Sequence, residues 1–192
     1  GTGGAGSIMI KDADDGTLAY FQVNGGNVQV QTSGSSYGTK LNITPDGEVT
    51  LPYQPFFRAY GNASWTTIAE SDGTIVFPFA AEVTDQGGNY DTSNSRFTAP
   101  VGGVYAFHVC IYGKANSSSG YVSFYFRQNG SGNSQGYRLR DYSDEHERDK
   151  SLDYTQVLVL NANDYVDFSA NADGDSWQYY GSHCVFQGYL LG

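Results

Sequence analysis

The chain has 192 residues with 25 glycines, 16 tyrosines and 11 phenylalanines; aromatic residues make up 15% and charged residues 16%. That is enough for one good core or one domain with a small appendage, and the aromatic content excludes a disordered chain. A formal net charge of −10 repels phosphate backbones, so nucleic acid is excluded as a partner.

No apolar run reaches 18 residues, so no helical membrane insertion is expected, and no signal peptide is visible. Two cysteines, Cys110 and Cys184, are too few for a disulfide scaffold or a thiolate zinc site. The opening "GTGGAGS" reads as a linker or a cloning remnant; with no "GK[ST]" after it and no strand before it, it is not a phosphate loop.

In chain order, residues 1–52 read as a β-rich lead-in. "SIMI", "TLAYFQV", "NVQVQT", "KLNIT" and "EVTLP" alternate, and "DADDG", "NGGN", "SGSSYG" and "PDG" separate them. Asn24-Gly25 and Asp46-Gly47 are hairpin signals. Each run is too short and polar to form a stable sheet alone, and identical chains are its simplest partners. Residues 53–192 read as a second unit. Its strands fall at 55–60, 74–79, 81–85, 96–99, 103–112, 121–128, 136–142, 152–160, 164–170 and 183–191. Short strands at regular spacing with long connections imply an all-β, ten-stranded jelly-roll sandwich.

The stretch "YDTSNSRFTAPVGGVYAF" resembles the signature of the complement component 1q globular head, within the tumour-necrosis-factor-like superfamily. The matching residues are Tyr90-Asp91, Phe97-Thr98-Ala99-Pro100 and Gly103-Val104-Tyr105-Ala106-Phe107. "PFFRAY" at 55–60, "VLVLNANDYVDF" at 157–168 and "FQGYLL" at 186–191 follow in that family's order. Asp85-Gln86-Gly87 stands where the family has Asn-x-Gly, and no collagen-like Gly-X-Y run precedes the head. Instead "LNITPDGEVTLPYQP" resembles the approach segment of bacteriophage tail-fibre tips.

Pattern agrees with the resemblance. Tyr105, Phe107, Val109 and Ile111 share one face of their strand; Ala106, His108, Cys110 and Tyr112 share the other. Both faces are largely apolar, as they are in the last strand. A strand buried on both faces of a two-layer sandwich needs a further layer, and a homotrimer supplies it.

The loop "NADGDSWQYYG" at 171–181 is the richest in candidate ligands. Asp173 and Asp175 alternate like calcium ligands about Gly174. In the resembled family an aspartate of this connection contributes to a calcium site near the axis, and Asp173 falls at its position. The expected cation is calcium or magnesium, because the oxygen ligands have no cysteine nearby. Trp177, Tyr179 and Tyr180 suit sugar binding, with ring faces stacked on pyranose C–H groups. The competing reading is a polar turn with Trp177 tucked under the sandwich. In the charge run "RLRDYSDEHERDKSLD", Arg138, Arg140 and Arg148 are candidates for acidic receptor sugars, against a plain solvated loop.

Catalysis has little support. His108, His146 and His183 are the only histidines, with neither Gly-x-Ser-x-Gly nor His-Glu-x-x-His. His108 and Cys110 share a face, but adjacent His183 and Cys184 cannot, so a four-ligand zinc set fails. Buried free thiols or a cross-strand disulfide remain open for the cysteines. The sequons at Asn42, Asn62, Asn116 and Asn129 matter only for a secreted chain.

The expectation is a non-enzymatic, trimeric receptor-binding tip of a bacteriophage tail fibre, on the virion and extracellular, that recognises a host-surface polysaccharide or protein receptor. The alternatives are a trimerisation cap for a fibre and a secreted lectin-like adhesion or immune protein.

Overall fold

The computed structural model describes residues 6–11, 18–32, 38–116, 120–132, 138–142, 148–174 and 176–192. They fall into two units, Gly1–Gln54 and Pro55–Gly192.

The first unit is an antiparallel meander in the order β1 (Gly6–Lys11), β2 (Leu18–Asn24), β3 (Asn27–Thr32), β4 (Gly38–Ile43) and β5 (Val49–Thr50). The β2–β3 turn contains only Gly25 and Gly26, at φ 59° and 85°. A two-residue turn with both φ positive matches the right-handed twist of a hairpin, and glycine adopts it without steric cost. Alternation then divides the sheet. Ile8 lies opposite Phe21 and Val23 opposite Val28 on one face, and all four are exposed. The other face carries a row of amides: Gln22 Nε2 donates to Gln29 Oε1 at 2.9 Å, and Gln29 Nε2 donates to Asn42 Oδ1 at 3.0 Å.

The second unit is an all-β jelly-roll sandwich of two seven-stranded sheets. The first head sheet contains β8 (Thr74–Val76), β10 (Tyr90–Asp91), β11 (Arg96–Thr98), β13 (Tyr121–Gln128), β14 (Ser131–Gly132), β15 (Leu139–Tyr142) and β17 (Tyr165–Asp173). The second contains β6 (Phe56–Tyr60), β7 (Trp65–Ile68), β9 (Ala81–Gln86), β12 (Gly103–Ala115), β16 (Lys150–Leu160), β18 (Trp177–Tyr180) and β19 (Val185–Leu190). Four short strands, β7, β10, β14 and β18, add to the expected ten. The strand expected over 74–79 stops at Val76, where Pro78 lacks the N–H that a ladder needs; Phe77 and Phe79 turn into the core.

Aromatic residues of the "YDTSNSRFTAPVGGVYAF" motif help build that core. Phe57 stacks on Tyr90 at 4.6 Å and on Phe97 at 5.0 Å, and meets Phe186 edge-on at 4.8 Å. Tyr105 reaches back to donate its hydroxyl to the Val101 carbonyl at 2.8 Å. Gly188 faces Phe107 so closely that an added Cβ would lie 2.5 Å from the ring, so that position has room only for glycine. Among the described residues, no helix is long and apolar enough to cross a membrane.

Candidate functional site

Alternation along "YVSFYFR" fixes the first head sheet's outward face. Val122, Phe124 and Phe126 point into the core, so Tyr121, Ser123, Tyr125 and Arg127 point outward. In β15, Leu139 packs against the core and Asp141 is buried, which turns Arg138, Arg140 and Tyr142 outward beside them. The register sets Tyr121 opposite Tyr142 and Ser123 opposite Arg140. On the other flank β17 sets Asp173 opposite Tyr121 and Asn171 opposite Ser123.

These residues form one connected surface. The Arg140 guanidinium lies 4.5 Å over the Tyr121 ring, and that of Arg138 lies 4.6 Å over Tyr125. Tyr121 and Tyr142 rings are 5.7 Å apart. Arg140 donates to the Tyr142 hydroxyl at 3.5 Å, the largest cause holding its guanidinium pKa above the ordinary value. The Tyr121 hydroxyl donates to Asp173, and that bond raises the Tyr121 pKa. Ser123 lies beneath, 1% exposed. Its Oγ has no hydrogen-bond partner and is the single buried side-chain atom of that kind among the described residues.

Three of the expected site residues, Arg138, Arg140 and Asp173, therefore meet on one surface. Trp177 and Tyr179 do not join them. Trp177 is 0% and Tyr179 4% exposed, because the expected loop is the strand β18, whose inward face they occupy. Trp177 Nε1 donates to the Asp141 carboxylate at 2.8 Å, and Asp141 also accepts from Lys150 at 2.8 Å. Neither ring offers an open face to a sugar in this structure, and Trp177 is tucked under the sandwich. Tyr180 belongs to the second head sheet, beside Trp65 at 5.5 Å and His183 at 4.8 Å. Arg148 is exposed just before β16. Asp175 lies outside the described residues.

The expected calcium or magnesium site draws on Asp173 and Asp175. Asp173 faces outward from the first head sheet, where it accepts from Tyr121; among the described residues of one chain no group of three His, Cys, Asp or Glu side chains gathers.

The cysteines form no disulfide: Cys110 is half-buried and Cys184 buried, both free. Cys184 Sγ accepts from the Tyr112 amide at 3.3 Å. Burial, ahead of all other causes, pushes its thiol up to about 12.

The second head sheet's outward face changes character along its length. At one end Ala106 lies between Val157 and Tyr189, and Val104 pairs with Val159. Val159 is 74%, Val157 56% and Tyr189 43% exposed, with Leu191 close by in sequence at 52%. Further along come His108, which meets Asp153 at 3.2 Å, and Gln187.

Two facing sheets closed by the Phe97–Phe107 segment and a C-terminal strand define a jelly-roll head. The chain belongs to the C1q domain family, whose model matches residues 60–191. Among solved structures it is similar to the globular domain of the zebrafish complement 1qA protein, at 18% identity and a TM-score of 0.51, covering 72% of this chain and 98% of that one. It is also similar to Eiger TNF from S. frugiperda, at 14% identity and TM-score 0.53, covering 72% and 93% of the two chains. Murine APRIL aligns at 9% identity and TM-score 0.50, covering 72% and 99%. No curated protein matches the chain.

Proposed function

We propose that this chain is the trimeric receptor-binding tip of a bacteriophage tail fibre, displayed on the virion and binding a host-surface glycan. The observation that carries the assembly is the exposed apolar end of the second head sheet, formed by Val104, Val157, Val159, Tyr189 and Leu191. Large apolar side chains clustered on one surface mark an interface rather than a solvated face. A three-fold axis through that end lets three copies cover one another. It leaves the Tyr121–Arg140 surface, on the opposite sheet, facing outward in each copy. Three such surfaces on one tip bind a repetitive polysaccharide with avidity, so each can be weak alone. The C1q-domain fold and the β-rich unit before it support the same reading.

Multi-angle light scattering should give three times the chain mass, and Val159→Asp should reduce it toward one. The purified trimer should block adsorption of whole particles to host cells. Undiminished adsorption at saturating trimer would favour a structural cap, which the same apolar face would equally serve.

A further inference from the structure

The geometry points to a binding site for carboxylate-bearing sugars on the first head sheet, formed by Arg138 and Arg140 above Ser123. The inference rests on the glycan-binding reading and names the sugar class.

Charge comes first. The chain is strongly acidic, yet here two guanidiniums stand two residues apart, Arg140 in β15 and Arg138 just before it. Neither has an ion pair among the described residues, whereas Arg96 and Arg127 both pair with Asp167. Their guanidinium carbons lie over the Tyr125 and Tyr121 rings. Arg140 spends one N–H on the Tyr142 hydroxyl at 3.5 Å; the N–H groups left on the two guanidiniums suit a carboxylate, which takes two parallel hydrogen bonds.

Ser123 supplies an independent observation. A buried hydroxyl without a partner is rare in a folded protein and calls for an explanation. This one lies directly opposite Arg140 in the register and between Tyr121 and Tyr125 on their strand. Its oxygen is covered in this structure, so an acidic oxygen seated beside Arg140 becomes its partner as the surrounding side chains part to admit the ligand.

The surroundings select a sugar over a simple anion. Tyr121 and Tyr142 offer ring surface for pyranose C–H groups. The Asp173 carboxylate accepts hydroxyl protons, and it would repel a ligand carrying dense negative charge. A uronic-acid or sialic-acid residue, with one carboxylate and several hydroxyls, meets all of these groups at once.

Calorimetric titration of the intact protein tests this with four probes: hyaluronan oligosaccharides, oligosialic acid, carboxyl-reduced hyaluronan and dextran sulfate. Binding is expected for at least one of the first two, weakening as salt rises. Carboxyl-reduced hyaluronan and dextran sulfate should bind at least about tenfold more weakly, the loss for one charge-assisted pair. Arg140→Gln and Arg138→Gln should each lose about tenfold with melting temperatures unchanged, and Lys11→Gln in the first unit should lose nothing. Ser123→Ala should weaken binding without lowering stability, since no folded-state bond is lost.

Equal binding of the carboxyl-reduced probe, or full affinity in Arg138→Gln/Arg140→Gln, would overturn the carboxylate site. The glycan-binding reading would stand if the trimer still blocked particle adsorption. If the trimer bound none of the probes and blocked no adsorption, both would fall.

Discussion

Trp177 and Asp141 share a hydrogen bond of 2.8 Å inside the sandwich. It ties β18 of one head sheet to β15 of the other and leaves the indole with no exposed surface. A tryptophan N–H can be buried fully only where it finds an acceptor, and Asp141 is itself held by Lys150.

Asp141→Ala should therefore lower the unfolding free energy by about 1–3 kcal/mol, the cost of orphaning a buried donor. Trp177→Phe should cost at least as much, because it opens a cavity at a fully buried position and leaves Asp141 without that donor. Denaturant melts would rank them. Acrylamide should quench Trp65, which is 45% exposed, and spare Trp177; a single accessible class would contradict the burial.

Asp167 is 0% exposed and accepts from Arg127 at 2.7 and 3.1 Å and from Arg96 at 3.2 Å. Removing one partner of a buried pair leaves charge uncompensated. Asp167→Asn should destabilise by about 3 kcal/mol, less than the fully buried extreme because Arg96 is partly solvated. Guanidinium melts showing under 1 kcal/mol would refute the network's importance.

Burial holds the Cys184 thiol neutral up to about 12, against an ordinary 9.0. A thiol pKa raised in the folded state stabilises fully below pH 9. The contribution is lost as pH rises from there through 12, because the unfolded thiol ionises first. Melting temperature should fall across that window, and Cys184→Ser should flatten the fall. At pH 8, thiol reagents should label Cys184 only on unfolding.

A calcium or magnesium ion held by Asp173 in the assembled protein would stabilise the state that binds it. Chelator should then lower the melting temperature of the wild type and leave Asp173→Ala unaffected; equal wild-type melts with and without chelator would remove the site.

Alternation made the sandwich legible. The two-residue period in "GVYAFHVCIY" separates core from outward face as the structure does, and Phe97, Tyr105 and Phe107 sit where the motif implies. The site was half legible. The charge run singled out Arg138 and Arg140 along with Arg148, but the neighbours Tyr121 and Tyr125 come from β13, and only the β13–β15 register brings them there. The same period in "YVSFYFR" could have flagged Tyr121, Ser123 and Tyr125 as outward. β18 was hidden for a different reason. Four residues after Asp173-Gly174 read as loop, because a strand that short is stabilised by β7 and β12 rather than by its own pattern.

The amide row of the first unit runs one way. Gln22 donates to Gln29 and Gln29 donates to Asn42, so the amino groups all point from β2 toward β5. Backbone dipoles largely cancel between antiparallel strands, whereas these side-chain dipoles add. The sheet thereby acquires a polarity at right angles to its strands, with a carbonyl at the Gln22 end and an amino group at the Asn42 end. A glutamate at position 29 would break that direction at its midpoint, since a carboxylate accepts from both neighbours and donates to neither.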